Sequence, residues 1–250
     1  MLKHKLMKVA TVVVFAIGGL TYSCFAAGLE DLTDVNNPTK VAPGIWKIII
    51  GDMAKEVRYT DLAAAPPRME VLQKKCETPY PFAHDPISVY KSPDNRIMIR
   101  IPTGLGESVF GFGLQLDGII KSKKVMSLNV DHAGANDGGT HAPVPFYISS
   151  KGYGVFFNTA RYLKAYVQTG VRKDSAHLPT PIDRNPIKPH PKGIEWTAQP
   201  DSDAVEAQLV GNGMEVLIFA GESLVDIVSR YNLYNGGGAM PPLWGLGFWR

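Results

Sequence analysis

The sequence predicts a mainly β protein, an antiparallel β-sandwich with one amphipathic helix late in the chain. Three observations carry this expectation. Short runs of β-branched and aromatic residues alternate with other residues at period two. Turn-forming groups punctuate those runs: Ser92-Pro93-Asp94-Asn95, Ser149-Ser150-Lys151-Gly152 and Gly211-Asn212-Gly213. One stretch alone follows helical spacing, with Leu224, Ile227, Val228 and Tyr231 at i, i+3, i+4 and i+7. The 25 glycines and 19 prolines suit a turn-rich β chain better than a helical bundle.

The N-terminus reads as a targeting segment. Lys3, His4, Lys5 and Lys8 precede an apolar run at residues 9–20, too short to span a bilayer comfortably. Ala26, Ala27 and Gly28 then supply the small residues of a cleavage region. We expect a signal peptide over residues 1–28 and export to the periplasm or beyond, with no membrane span in the mature chain. Lipoprotein acylation at Cys24 is the lesser alternative, because Thr21 stands where an aliphatic residue is usual. Cys24 and Cys76 are the two cysteines. Loss of Cys24 with the signal leaves Cys76 without an internal partner, an idle thiol and not a nucleophile.

Residues 30–40 are polar and read as a lead-in. Residues 43–51 read as a first strand, with Ile48, Ile49 and Ile50 bounded by glycine. Ala63 to Pro67 breaks any helix. Residues 87–90 and 96–101 read as two strands around the turn at 92–95, with Ile97, Ile99 and Ile101 on one face and Met98 and Arg100 on the other. In residues 107–118, Gly111 and Gly113 flank Phe112, which permits a bulge and close backbone approach. That Gly-x-Gly lacks the third glycine, the helix and the lysine of a phosphate loop. Residues 125–130 read as a strand.

The segment that follows is the most site-like. Residues 131–139 form a polar, glycine-rich loop carrying Asp131, His132, Asn136 and Asp137. Carboxylate, amide and imidazole groups pair well with the hydroxyl rows of a sugar. The same residues also serve as ordinary turn formers. His132, Asp137 and His141 match no zinc spacing, so no metal is expected. Residues 173–192, with His177 and His190, are proline-rich and read as an irregular loop. Residues 144–148 and 153–157 read as a hairpin around 149–152. Residues 205–210 and 214–219 read as a second hairpin, because Gly-Asn-Gly is a strong hairpin signal. The helix follows at 224–233 and stops at Asn235-Gly236-Gly237-Gly238.

Three segments carry a resemblance. PFYISSKGYGVFFNTA at 145–160 resembles part of the N-terminal β-sandwich of glycoside hydrolase family 31, the α-glucosidase and α-xylosidase group. SVFGFGLQLDG at 108–118 resembles the Gly-aromatic-Gly segment upstream of that hairpin, and PPLWGLGFWR at 241–250 resembles the first strand of the family's barrel. Their order is the family's order. The resemblance implies a galactose-mutarotase-like β-sandwich at 29–235, then a linker and the start of a (β/α)8 barrel at 236–250. It further implies that the chain is the N-terminal part of a longer, retaining α-glycosidase acting on terminal α-linked sugars. Its two catalytic aspartates would lie in the barrel, beyond this sequence, so that this chain alone would be inactive. The family's Asn-x-Asp stands here as Asn129-Val130-Asp131, and the resemblance gives Asp131 a hydrogen bond to substrate. His132, Asn136 and Asp137 lie where the loop departs from the α-glucosidase version.

A net charge of +3 with scattered basic residues gives no nucleic-acid footprint. The expected partner is an oligosaccharide or α-glycoside, with no cofactor. The competing reading is a free-standing carbohydrate-binding or mutarotase-like sandwich. In that case Trp46, Tyr153 and Trp196 would be offered for stacking on sugar faces, against core packing as their ordinary fate.

Overall fold

The computed structural model describes residues 37–91, 95–115, 118–129, 140, 142–169 and 201–238. The segments 1–28, 131–139 and 241–250, together with His141, His177, His190 and Trp196, lie outside the described residues. In chain order the elements are β1 (Thr39–Ala42), β2 (Ile45–Gly51), a 3-10 turn at Tyr59–Leu62 and α1 (Met69–Leu72). Then come β3 (Ser88–Lys91), β4 (Arg96–Pro102), β5 (Val109–Leu114), β6 (Lys124–Leu128), β7 (Ala142–Ser149) and β8 (Tyr153–Asn158). The last are β9 (Leu163–Thr169), β10 (Asp201–Val210), β11 (Gly213–Ala220) and α2 (Leu224–Tyr234).

Two antiparallel sheets pack face to face, as expected of a sandwich. One runs β1-β2-β11-β8-β7-β5 and the other β3-β4-β10-β9-β6. Their inner faces share one core. Ile97, Ile99 and Ile101 of β4, Val205, Ala207 and Leu209 of β10, and Leu163, Ala165 and Val167 of β9 come from one sheet. Ile48 and Ile50 of β2, Val155 and Phe157 of β8, and Val216 and Ile218 of β11 come from the other. Each large aliphatic or aromatic side chain so buried contributes about 1.5–3 kcal/mol.

The six-stranded sheet is covered on both faces, so β8 and β11 are buried throughout. Helix α2 lies on its outer side. Ser223 caps the helix by accepting from the Asp226 N–H at 3.1 Å, and Ile227 enters the second apolar cluster with Phe146, Phe156, Leu217 and Phe219. Tyr231 stacks on Phe146 with centroids 3.9 Å apart and rings within 3° of parallel. The fully buried Arg230 fixes the helix. Its Nε bonds Asp226 at 2.8 Å, and its other nitrogens donate to the carbonyls of Pro43 and Cys76. The outer face of the five-stranded sheet keeps the simple alternation of a half-buried sheet, seen in β4 and β9.

The structure alters several expectations. Residues 205–219 do not form a hairpin: β10 pairs with β4 and β9, whereas β11 pairs with β2 and β8, in the other sheet. A two-residue hairpin of the favoured type needs positive φ at its central residues, and Gly211, Asn212 and Gly213 are not among the described residues that adopt it. The link is instead a corner between sheets. The buried Glu56 accepts from the Asn212 N–H at 2.7 Å and pairs with Arg161; the Asp52 N–H donates to the Asn212 carbonyl at 3.0 Å, and Gly211 N–H to that of Asn95 at 2.8 Å. The corner lets both strands aim their apolar faces into the same core. The lead-in at 30–40 ends in β1, which pairs with β2. Strand β9 and the short α1, begun just after Pro67, are further elements. Trp46 and Tyr153 take the core fate, edge-on to Tyr80 and Phe82 respectively.

Candidate functional site

Two of the three resembling segments meet at one rim of the sandwich. Strand β6 is an edge of the five-stranded sheet, and β5 is an edge of the six-stranded sheet beside β7. The chain leaves β6, in the five-stranded sheet, through Asn129 and is in β7, in the six-stranded sheet, from Ala142; Asp131, His132, Asn136 and Asp137 fall between them in sequence. Those four residues lie outside the described part. Both ends of the loop are described. On its return, Thr140 is fully buried and its hydroxyl donates to the Ser127 carbonyl at 3.3 Å. The return is thus tied to the strand from which the loop departs.

The strand beside that return is bent by design of its backbone. The β5–β7 register slips between Gly111 and Gly113, the expected bulge. Both glycines have positive φ, 123° and 95°, and so does Phe112 between them at 64°. A Cβ on Gly113 would fall 2.1 Å from the Ala142 carbonyl oxygen, and one on Gly111 2.6 Å from that of Phe146. Only glycine allows this approach. Phe112 tolerates the left-handed conformation because its ring is fully buried and stacked on Tyr147, with centroids 5.3 Å apart. Strain of this kind persists only where packing over-determines it. Here it shapes the pairing of β5 with the start of β7.

The far end of β7 is braced by a buried carboxylate. Glu107 Oε1 accepts from the Ser149 and Tyr153 hydroxyls, and its Oε2 accepts from the Gly104 N–H at 2.6 Å. Burial first, then the neighbouring Glu107 charge, push the Tyr153 phenol far above its ordinary range. Burial does the same to Tyr147. Both phenols therefore stay protonated, and that of Tyr153 is a permanent donor to Glu107. The brace holds the β7–β8 hairpin.

Beside Asn129 a cleft of about 330 Å³ opens on the outer face of the five-stranded sheet. Sequence reasoning missed it because four strands contribute to it. Among the described residues no group of three or more His, Cys, Asp or Glu is placed to hold a metal ion.

Two antiparallel sheets packed face to face with a helix on one outer face make a β-sandwich, and comparison with known proteins agrees. The Flavobacterium johnsoniae GH31 dextranase, solved in complex with glucose, shares the fold at a TM-score of 0.52 and 15% identity, over 83% of this chain and 26% of that one. Residues 70–164 match the family model described as the glycosyl hydrolase 31 N-terminal galactose mutarotase-like domain. Over that stretch the chain is similar to the N-terminal domain of glycoside hydrolase family 31. Among curated proteins it is similar to the alpha-xylosidase XylQ of Lactiplantibacillus pentosus, 21% identical over 155 residues. It is also similar to an alpha-xylosidase of Emericella nidulans, 22% identical over 153 residues. These alignments cover 62% and 61% of this chain and 16% of each relative.

Proposed function

We propose that this chain is the N-terminal part of a retaining α-glycosidase that removes terminal α-linked sugars, and that its 129–141 loop borders the sugar pocket. The observation that carries the reading is the family match over 70–164, which spans β5, β6, the loop and the β7–β8 hairpin. The supporting geometry is confined to the flanks: the Thr140 hydroxyl donates to the Ser127 carbonyl of β6, and the start of β7 pairs with the glycine bulge of β5. In this reading the reaction belongs to two carboxylates of a following barrel. One attacks the anomeric carbon and the other protonates the leaving oxygen, and water then releases the sugar with retained configuration. The sandwich supplies support and a substrate contact from Asp131, with His132, Asn136 and Asp137 as further candidates. Export by a residues 1–28 signal belongs to the same proposal.

Sequencing the DNA downstream of the Arg250 codon tests it. The reading expects an open frame encoding a barrel with two catalytic aspartates, and an expressed product that releases the α-anomer first from an aryl α-glycoside. The 250-residue chain by itself should leave that substrate untouched. A stop codon after Arg250, or turnover that scales with the purified 250-residue chain, contradicts it.

A further inference from the structure

We propose that the exposed apolar ledge at residues 62–67, beside the end of α2, is the docking surface for a later stretch of this same chain, residues 239–244. The proposal does not rest on the glycosidase reading, because it concerns only how the chain leaves the sandwich.

The ledge ends a strap, residues 56–67, that lies on the outer side of the six-stranded sheet with its polarity reversed. The polar groups of the strap are turned to the protein and paired. Glu56 pairs with Arg161 and accepts from the Asn212 N–H at 2.7 Å. Arg58 Nε donates to the buried Glu215 at 3.1 Å. Thr60 and Asn158 exchange two hydrogen bonds of 3.0 Å each. Asp61 accepts from the Arg58 N–H at 2.9 Å. Beyond them, residues 62–67 read Leu-Ala-Ala-Ala-Pro-Pro and offer water no polar side chain. Leu62 is 68% exposed, and Ala64, Ala65, Pro66 and Pro67 are exposed as well. A single exposed leucine is ordinary. A continuous apolar run, left in water by a strap whose polar side chains are held by the sheet, points to a cover.

The exit of the chain identifies that cover. Arg68, the residue after the ledge, grips the end of α2. Its N–H donates to the Leu233 carbonyl at 2.9 Å and its Nε to the Gly236 carbonyl at 2.8 Å. Gly236 sits so close on the ledge that a Cβ there would stand 2.5 Å from the Ala65 carbonyl oxygen and 2.9 Å from the Ala65 Cβ. Its φ of +92° also reserves the place for glycine. The linker thus rests on the ledge two residues before the described part ends at Gly238. The sequence that follows suits the same surface. Residues 239–244 read Ala-Met-Pro-Pro-Leu-Trp, uncharged and apolar. Six extended residues span about 20 Å, the reach of a six-residue ledge. Met240, Leu243 and Trp244 supply adaptable and aromatic area. Prolines in both partners leave less backbone freedom to lose on docking.

Photo-crosslinking in the 250-residue chain tests this. With p-benzoyl-phenylalanine in place of Leu62, irradiation and peptide mapping by mass spectrometry are expected to join position 62 to the peptide holding residues 239–244 of the same molecule. The same probe in place of Leu105 should not reach that peptide, because Leu105 is fully exposed beside the Glu107 brace, at the Tyr153 end of β8 and away from Asn158. In place of Trp244 the probe should mark residues 62–67. Adding Leu62→Asp should then cut that yield about threefold or more at an unchanged melting temperature, since a charge on an exposed position spoils the dock and spares the fold. A product joining two copies, a product elsewhere or none from position 62, equal reach from position 105, or a yield that Leu62→Asp leaves unchanged would each overturn the proposal. None of these results bears on the aryl α-glycoside assay, so the two readings fail separately.

Discussion

Glu107 shows how much a single side chain organises. Its carboxylate serves the Ser149 and Tyr153 hydroxyls and the Gly104 N–H from a position 6% exposed. Replacing it with alanine strands those donors in an apolar interior, each at about 1–3 kcal/mol. We expect Glu107→Ala to lose at least about 3 kcal/mol in urea unfolding, and Glu107→Gln, which keeps an acceptor, to lose less. Equal losses would remove the hydrogen-bonded brace as the cause. Glu56 gives a pH dependence. Burial raises its carboxyl, but the bonds from Arg161 and Asn212 outweigh burial and hold it below its ordinary value. A depressed carboxyl binds fewer protons folded than unfolded, so its stabilisation is complete above the ordinary range, near pH 4.5, and fades as pH falls through the folded value. Glu56→Gln should therefore narrow the stability gap between pH 6 and about pH 3 relative to the parent, measured by thermal melts. An unchanged gap would show that Glu56 carries none of the acid sensitivity. Neither residue's role was visible in the sequence, because the Ser149 and Tyr153 partners of Glu107 and the Arg161 and Asn212 partners of Glu56 are 42 or more positions away.

At the scale of elements, legibility followed the locality of the signal. The alternation of Ile97, Ile99 and Ile101, the 149–152 turn with its two strands, and the helical spacing at 224–231 each use neighbours in sequence, and each formed as read. The Gly-Asn-Gly corner was misread as a hairpin because its residues specify a tight reversal and say nothing about which sheet receives the next strand. That choice is made by Glu56, Asp52 and Asn95, outside the corner itself. The bulge in β5 was legible from Gly111 and Gly113, though the left-handed Phe112 was not, since its tolerance comes from Tyr147. The bulge sets how β5 meets the start of β7. Gly113→Ala adds a Cβ against the Ala142 carbonyl in a conformation that L-residues resist. We expect a loss of at least about 2 kcal/mol by chemical unfolding, with amide resonances shifting around residues 142–144. A variant as stable as the parent would mean that the close approach can relax without consequence.

The described residues form a two-sheet sandwich in which helix α2 packs on the outer face of one sheet and no described helix packs on the other. The loop expected to meet substrate lies in sequence between β6 of one sheet and β7 of the other. Its anchors were legible through the resembling segments, whereas the roles of Asp131, His132, Asn136 and Asp137 fall on residues outside the described part. The central claim, that the sandwich reaches the sugar through this loop, is tested most directly by Asp131→Ala in the longer protein that the proposed frame encodes. Charge-assisted hydrogen bonds to sugar hydroxyls are worth about 1.5–3 kcal/mol each, against about 0.5 kcal/mol for an ordinary surface substitution. The account predicts kcat/KM lowered about tenfold or more with an unmoved melting temperature. Near-normal kcat/KM with a lowered melting temperature would contradict it and leave Asp131 as a turn-capping residue.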